Sequence, residues 1–193
     1  MLAVGCPAGD DGTGEEGPSE TGETASTGGT ASTGETASTG EASGDETSAP
    51  ACGEDPVPPG AATCPAACTG GCDAGVCTIE CSGLGACDVQ VMVCPADYAC
   101  RLRCDGGDAC DTSTLTCATG QACEVQCIDG TDACGDLVVE CNGASSCTLG
   151  CSATPTVCEG TMLSCGPGAC TATCEGDSTP EVTCGESCAC TPC

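Results

Sequence analysis

The chain has 193 residues, 27 of them cysteine, and Tyr98 is its only aromatic residue. With so few large apolar side chains a conventional close-packed core is not expected, and this density of cysteine indicates a disulfide scaffold from an oxidising compartment. The net charge of −27, with Arg101 and Arg103 as the only cations, argues strongly against nucleic acid and against anionic lipid headgroups as partners of the polypeptide.

The first cysteine, Cys6, stands far from the next one, Cys52, and follows the stretch Leu-Ala-Val-Gly. This stretch resembles the end of a bacterial lipoprotein signal peptide, in which small residues precede a cysteine that is lipidated after cleavage. The resemblance implies a lipid on Cys6 and makes residues 1–6 the end of a longer signal, since five residues leave no room for its basic and apolar parts. Removing Cys6 also leaves an even number of cysteines for pairing. The alternative is that Cys6 is a disulfide partner or a free thiol.

Residues 7–51 contain ten acids, no bases and almost no large apolar side chain. A six-residue unit, T-A-S-T-G-G or T-A-S-T-G-E, occurs three times in a row from Thr24 to Glu41. Such a composition cannot bury enough surface to offset chain entropy, so we expect a disordered tether with a span of roughly 35 to 40 Å. An O-glycosylated stalk is the alternative interpretation.

Cysteines recur every 23 or 24 residues between positions 77 and 174, which is the spacing of a solenoid repeat. We therefore divide the rest of the chain into an N-terminal cap at 52–76, the repeats at 77–174 and a C-terminal cap at 175–193. The repeat cysteines form four columns: Cys77, Cys100, Cys123, Cys147 and Cys170; Cys81, Cys104, Cys127, Cys151 and Cys174; Cys87, Cys110, Cys134 and Cys158; Cys94, Cys117, Cys141 and Cys165.

Each repeat contains two segments in which apolar residues alternate with others, and this period of two predicts two strands with one buried face. The predicted inward residues are Ile79, Leu102, Val125, Leu149 and Ala172 in the first segment, and Met92, Leu115, Val139 and Leu163 in the second. Glycine-containing turns separate the segments. The predicted fold is mainly β: a disulfide-rich β-solenoid, similar to a parallel β-helix, with about 23 residues per coil.

Distance restricts the disulfides within a coil. Two cysteines four residues apart on one strand are separated by about 13 Å, well beyond the roughly 4.4 to 6.8 Å that a bridge allows between Cα atoms. Pairs that cross a turn remain, with stacked cysteines of neighbouring coils as the rival. We predict eight such pairs: Cys81–Cys87, Cys94–Cys100, Cys104–Cys110, Cys117–Cys123, Cys127–Cys134, Cys141–Cys147, Cys151–Cys158 and Cys165–Cys170. In the caps we expect Cys72–Cys77 and Cys174–Cys184, which leaves three cysteines unassigned at each end.

The short strands and the two cysteines separated by five residues resemble the disulfide-threaded β-solenoids of insect antifreeze proteins over residues 77–174. The ice-binding function does not carry over, because Thr112, Thr114 and Thr116 are the only set that matches the threonine row of those proteins. Taken whole, the lipobox-like start, the tether and the cysteine-rich end are similar to cysteine-rich bacterial surface lipoproteins, a resemblance that implies no activity.

Histidine is absent, which removes the commonest general base and the usual zinc sites, so we do not expect an enzyme or a resident cofactor. A metallothionein-like thiolate cluster is a further alternative, although an exported chain would oxidise its cysteines. The repeat alignment stacks Asp105 over Asp129 and Asp108 over Asp132, which makes calcium the main candidate ligand. The competing interpretation is that aspartate simply favours turns.

The outward residues Val91, Thr114, Val138 and Met162 should form one largely uncharged row on the second strands, and we predict this row as a partner face. Strand propensity is the competing explanation. The two arginines are expected to pair across coils, Arg103 with Glu80 and Arg101 with Glu124.

These features favour a non-enzymatic, lipid-anchored protein of the cell envelope that presents a rigid, disulfide-stapled binding or structural domain. The expected partners are the membrane, through a lipid on Cys6 only, and an envelope or extracellular protein or glycan. A freely secreted inhibitor or toxin and a calcium-binding surface module are the alternatives.

Overall fold

The computed structural model describes residues 52–177 and 179–193. The predicted lipidation site, Cys6, and the predicted tether at 7–51 lie outside these ranges. The described ranges contain twelve strands and no helix. They form a β-solenoid of about five coils, which confirms the predicted fold class.

A seven-stranded sheet, called here the long sheet, forms one wall of the solenoid. Its strands stack in the order β1-β2-β4-β6-β8-β10-β12, and all neighbours are parallel except β1 and β2. The strands are β1 (Gly71–Asp73), β2 (Val76–Ser82), β4 (Ala99–Asp105), β6 (Ala122–Asp129), β8 (Ser146–Cys151), β10 (Ala169–Cys174) and β12 (Ala189–Thr191).

A five-stranded parallel sheet, the short sheet, forms the opposite wall in the order β11-β9-β7-β5-β3. Each of its strands has three residues, and β3 is the terminal strand at the N-terminal end of the stack. The strands are β3 (Val91–Val93), β5 (Thr114–Thr116), β7 (Val138–Glu140), β9 (Met162–Ser164) and β11 (Glu181–Thr183).

The core between the sheets consists of stacked aliphatic side chains and half-cystines. All nine predicted inward residues are buried. The turns add one buried column that the alternation did not indicate, Ala109, Ala133 and Val157. A second buried column, Ser113, Leu137 and Thr161, lies two positions before the inward residues of the short sheet and continues their period of two.

The turns between β2 and β3, and their equivalents in the next three coils, have an unusual backbone. Three alternate residues in each turn have a positive φ between 48° and 72°. The turn backbone also hydrogen-bonds from coil to coil: Gly85 N donates to Gly107 O at 2.8 Å, and Cys110 N donates to Ala86 O at 2.9 Å. The stacked turns therefore form a further hydrogen-bonded wall of the solenoid.

The structure contains all eight turn-crossing disulfides that the sequence predicts. The two predicted cap pairs, Cys72–Cys77 and Cys174–Cys184, are wrong. At the N-terminal end, Cys68 bonds Cys77 and Cys64 bonds Cys72, because the chain turns twice between Pro65 and Gly71, where Cys68 N donates to Pro65 O and Gly71 N donates to Cys68 O. At the C-terminal end, the pairs are Cys184–Cys190 and Cys174–Cys193.

The pairing at the C-terminal end follows from one more partial coil within residues 175–193. Strand β11 continues the short sheet on β9, and β12 continues the long sheet on β10 with Cys190 in register with Cys170. Cys184–Cys190 therefore crosses the same kind of turn as Cys165–Cys170. The solenoid extends beyond the predicted boundary at 174, and only the last residues close its end.

Residues 52–61, called here the strap, run along the stack from its last coil to its first. Cys52 is bonded to Cys188. The Asp55 carboxylate accepts hydrogen bonds from the Ser145 and Ser146 hydroxyls at 2.7 and 2.8 Å. At the other end, the buried Tyr98 hydroxyl accepts a hydrogen bond from Ala61 N at 2.8 Å. The strap therefore joins both ends of the solenoid along one side.

Candidate functional site

The predicted partner row lies on the outer face of the short sheet. Strand register places Val91 beside Thr114, Thr114 beside Val138 and Val138 beside Met162. Val91 and Met162 are exposed, whereas Thr114 and Val138 are half-buried by their neighbours in the row. The row ends in a charged residue, because Glu181 is the next partner of Met162.

Exposed apolar side chains concentrate at the N-terminal end of this row. Val89, Val91 and Val93 expose 72%, 78% and 60% of their surface, and Leu84 exposes 83%. A cleft of about 240 Å³ lies beside these residues, between β3 and the N-terminal cap. Its lining residues are Ala67, Thr69, Ile79, Cys87, Gln90, Val91, Met92 and Val93. Exposed apolar side chains are therefore concentrated at β3, the first strand of the short sheet, and in the turn before it.

The four aspartates predicted for calcium do not converge on one point. Asp105 and Asp129 are in register on neighbouring strands, as predicted. The Asp105 carboxylate, however, lies 3.6 Å from the Arg103 guanidinium. The Asp129 carboxylate accepts hydrogen bonds from Gly130 N at 2.8 Å and from the Thr154 hydroxyl at 2.9 Å. Both carboxylates thus serve local charge pairing and turn formation.

The other predicted pair, Asp108 and Asp132, occupies equivalent turn positions with φ of 54° and 57°. Aspartate tolerates this left-handed conformation better than most residues do, which gives the pair a structural role. Among the described residues, no set of three side chains with ligand atoms within 4.8 Å of one another includes any of the four aspartates.

The side-chain sets that do meet this distance criterion consist of cysteines. The sulfur atoms of Cys117, Cys141 and Cys147 form one set, and those of Cys94, Cys117 and Cys123 form another. All five are half-cystines of stacked disulfides. Because metal binding by cysteine requires the thiolate, these sulfur atoms are not ligands in the oxidised protein.

Both arginines form the predicted ion pairs across the coils of the long sheet. Arg101 Nε lies 2.7 Å from Glu124 Oε2, and Arg103 Nη1 lies 3.6 Å from Glu80 Oε1. The structure therefore accounts for both cations as partners of neighbouring acids. They do not form a separate basic site.

The partner row could be read from the cysteine period, but the special position of Val91 within it could not. Val91 is the first member of its column, so no preceding coil covers it. The sequence indicates this uncovered position of Val91 only in that the first repeat contains it. Residues 52–76, the predicted N-terminal cap, pair through β1 with the long sheet only.

In the part of the chain that the structure describes, no helix is long and apolar enough to cross a membrane. Comparisons of the chain with protein-family models, with curated proteins and with solved structures found no match. The candidate site is therefore defined by geometry alone: an uncharged row on the short sheet that is bounded by Glu181 at one end and by the exposed, apolar strand β3 at the other.

Proposed function

We propose that this chain is a non-enzymatic, lipid-anchored protein of the bacterial cell envelope whose solenoid is a rigid binding domain. The lipid is attached to Cys6, residues 7–51 are the tether, and the short sheet carries the binding surface. The protein contacts the membrane only through the lipid, and its binding partner is another envelope or extracellular molecule.

One observation carries the proposal of an exported protein. All 26 cysteines in the described residues are paired, in thirteen disulfides, and each coil contains turn-crossing bonds. Such a set forms and persists in oxidising compartments and is rare in the reducing cytosol. Of the 27 cysteines, this leaves Cys6, whose proposed thioether link to lipid would consume the remaining thiol.

The binding role is supported by the rigidity and composition of the surface. Disulfides at the turns hold the strands in a fixed register, so the row from Val91 to Met162 is presented with little loss of entropy on binding. The row is apolar or hydroxylated on a chain that is otherwise strongly acidic, and exposed apolar patches of this kind mark interaction sites.

The anchor is tested by replacing Cys6 with serine in the cells that make the protein. Detergent phase partitioning and the intact mass of the purified protein are measured for both forms. We expect the unchanged protein to enter the detergent phase with the added mass of a lipid, and Cys6→Ser to enter the aqueous phase. A chain that stays in the aqueous phase without added mass in both forms would contradict the anchor and favour a freely secreted protein.

The binding surface is tested by replacing Val91 and Val138 with lysine and measuring retention on isolated envelopes. Loss of retention with an unchanged circular dichroism spectrum would support the row as the contact surface. Glu124→Gln, on the long sheet, is the matched control and should leave retention unchanged. Equal retention of all three proteins would place the contact away from the short sheet.

A further inference from the structure

The first strand of the short sheet lacks the hydrogen bonds that every later strand makes with its predecessor. In each of the four later strands of this sheet, the residue equivalent to Val91 donates its N–H to a carbonyl group of the preceding coil. Thr114 N donates to Gln90 O, Val138 N to Ser113 O, Met162 N to Leu137 O and Glu181 N to Thr161 O, at 2.8 to 2.9 Å. Within the described residues, Val91 has no preceding strand to receive this bond.

The carbonyl groups at this edge show the same pattern. Thr116 O, Glu140 O, Ser164 O and Thr183 O each accept a hydrogen bond from a cysteine N–H in the preceding coil, at 2.9 to 3.0 Å. Val93 is the equivalent residue in the first coil. Because successive residues of a strand direct their backbone groups to opposite sides, Val91 and Val93 both face away from β5. Their N–H and C=O groups therefore form an open edge.

The apolar side chains at this edge match what another strand would need. Every strand of the short sheet places one large apolar side chain against the core: Met92, Leu115, Val139 and Leu163 are buried, and Val182 is partly buried. The cleft between β3 and the cap lies beside Met92 and Ile79, where the inward side chain of an added strand would pack. Exposed strand edges commonly bind extended segments of other proteins in this way.

Charge determines which kind of strand fits. Residues 52–193 contain 19 acids and two arginines, a net charge of −17, and both arginines are paired on the long sheet. The exposed acids Asp88 and Asp97 flank the uncharged β3 in the sequence. A second copy would bring the same negative charge to the edge, whereas a cationic segment is attracted to it.

We propose that the open edge of β3 is a docking site for an extended segment of a basic protein, with an aliphatic centre and lysines or arginines at both ends. The segment adds one strand to the short sheet. It accepts hydrogen bonds from the N–H groups of Val91 and Val93 and donates hydrogen bonds to their C=O groups. This inference names the class of partner for the binding role proposed above and rests on that role, but it does not depend on the lipid anchor.

The test uses the oxidised full chain and the synthetic peptide KKTVLVTKK as a probe. Binding is measured by calorimetry, and backbone amide exchange at Val91 and Val93 is followed by NMR. We expect saturable binding that protects these amides. An analogue N-methylated at alternate residues, which lacks the donors on its pairing edge, should bind roughly tenfold or more weakly. A peptide with glutamate in place of lysine should also bind more weakly than the probe.

The variant Val91→Pro removes the outward N–H without removing any bond to β5, and proline is tolerated at such edge positions. We expect peptide affinity to fall roughly tenfold or more while the solenoid remains folded. Val57→Pro, at a highly exposed position of the strap and outside the short sheet, is the matched proline control and should leave the affinity for the peptide unchanged. If Val91→Pro does not fold, N-methylation of the peptide gives the same test without a mutation.

Three outcomes would overturn the proposal. The first is binding that is unaffected by N-methylation, since such binding would be electrostatic only. The second is protection of the Val91 and Val93 amides by self-association without peptide, which would make a second copy the occupant. The third is normal envelope retention of Val91→Pro together with loss of retention for Val138→Lys. That result would support the row on the short sheet as the binding surface and would show that the edge of β3 is not part of it.

Discussion

Gly130 lies so close to Gly106 of the preceding coil that a β-carbon on Gly130 would overlap the Gly106 carbonyl carbon. Gly106 stands in the same relation to Gly83, whose carbonyl carbon would lie 2.8 Å from a β-carbon on Gly106. All three glycines have a φ above +100°. The coils can therefore stack at this corner only if the residues at positions 106 and 130 carry no side chain.

We expect Gly130→Ala to lower the free energy of unfolding by at least about 3 kcal/mol, because it adds a backbone clash to the strain of a positive φ. Gly83→Ala is the matched control. Gly83 has a similar φ, but nothing lies within 4 Å of its added β-carbon, so only the strain of about 1 to 2 kcal/mol remains. Chemical denaturation of the two variants measures the difference. Equal losses would show that the coils can separate here at no cost.

Val89 is a β-branched residue with a φ of 53°, a conformation that such residues rarely adopt. The fourth coil has Gly160 at the same position of the turn, with a φ of 72°. We expect Val89→Gly to raise the free energy of unfolding by about 0.5 to 1 kcal/mol, since relief of strain exceeds the entropy that glycine adds to the unfolded chain.

The control for this effect is Val93→Gly, because Val93 is also exposed but has an ordinary strand conformation. Val93→Gly should destabilise by about 0.5 to 1 kcal/mol. Thermal denaturation compares the two valines directly. A loss of stability in both variants would mean that the turn holds Val89 without strain.

Leu137 is completely buried just before β7, two positions before the inward residue Val139 and next to the outward residue Val138. We expect Leu137→Ala to cost about 2 to 4 kcal/mol, because its cavity lies between stacked coils that the disulfides prevent from collapsing. Val138→Ala, one residue away on the outer face, should cost less than about 1 kcal/mol. Urea denaturation distinguishes them, and similar costs would contradict the burial of Leu137.

Reduction of the disulfides should abolish the fold. Each coil buries few large side chains, and a disulfide that closes a short loop contributes about 2 to 3 kcal/mol. We expect the β signal in circular dichroism to disappear after complete reduction and alkylation, and to be unchanged by alkylating reagent alone. Persistence of the signal in the reduced protein would show that aliphatic stacking suffices.

The repeated part of this fold was predictable because one rule governs every coil. A strand cannot bring two of its own cysteines together, so the bonds had to cross the turns, and the structure contains all eight of those pairs. The predicted partner of Cys184 was wrong although the same rule holds there, because Cys184 follows Cys165 by 19 positions and the intervening coil lacks one cysteine. The shortened coil hid the equivalence of Cys184–Cys190 with the other turns.

Two further features could not be derived from periodicity. The burial of Ala109, Ala133 and Val157 depends on the left-handed residues that alternate along the turns, where the period of two of the strands does not hold. The path of the strap depends on contacts between residues about 90 positions apart, such as Asp55 with Ser145. The open edge at Val91 was within reach of the sequence, but it required knowing that the N-terminal cap pairs with only one sheet.

The strap also determines how the molecule bears mechanical load. A chain pulled from the N-terminal side of Cys52 would ordinarily peel the strap away and then unwind the first coil. Because Cys52 is covalently joined to Cys188, at a sequence separation of 136, the force passes directly into the last coil and bypasses the chain between the two cysteines. Force applied from the N-terminal side of Cys52 therefore pulls on a closed covalent ring. The coils within this ring cannot unwind one after another while the Cys52–Cys188 disulfide is intact.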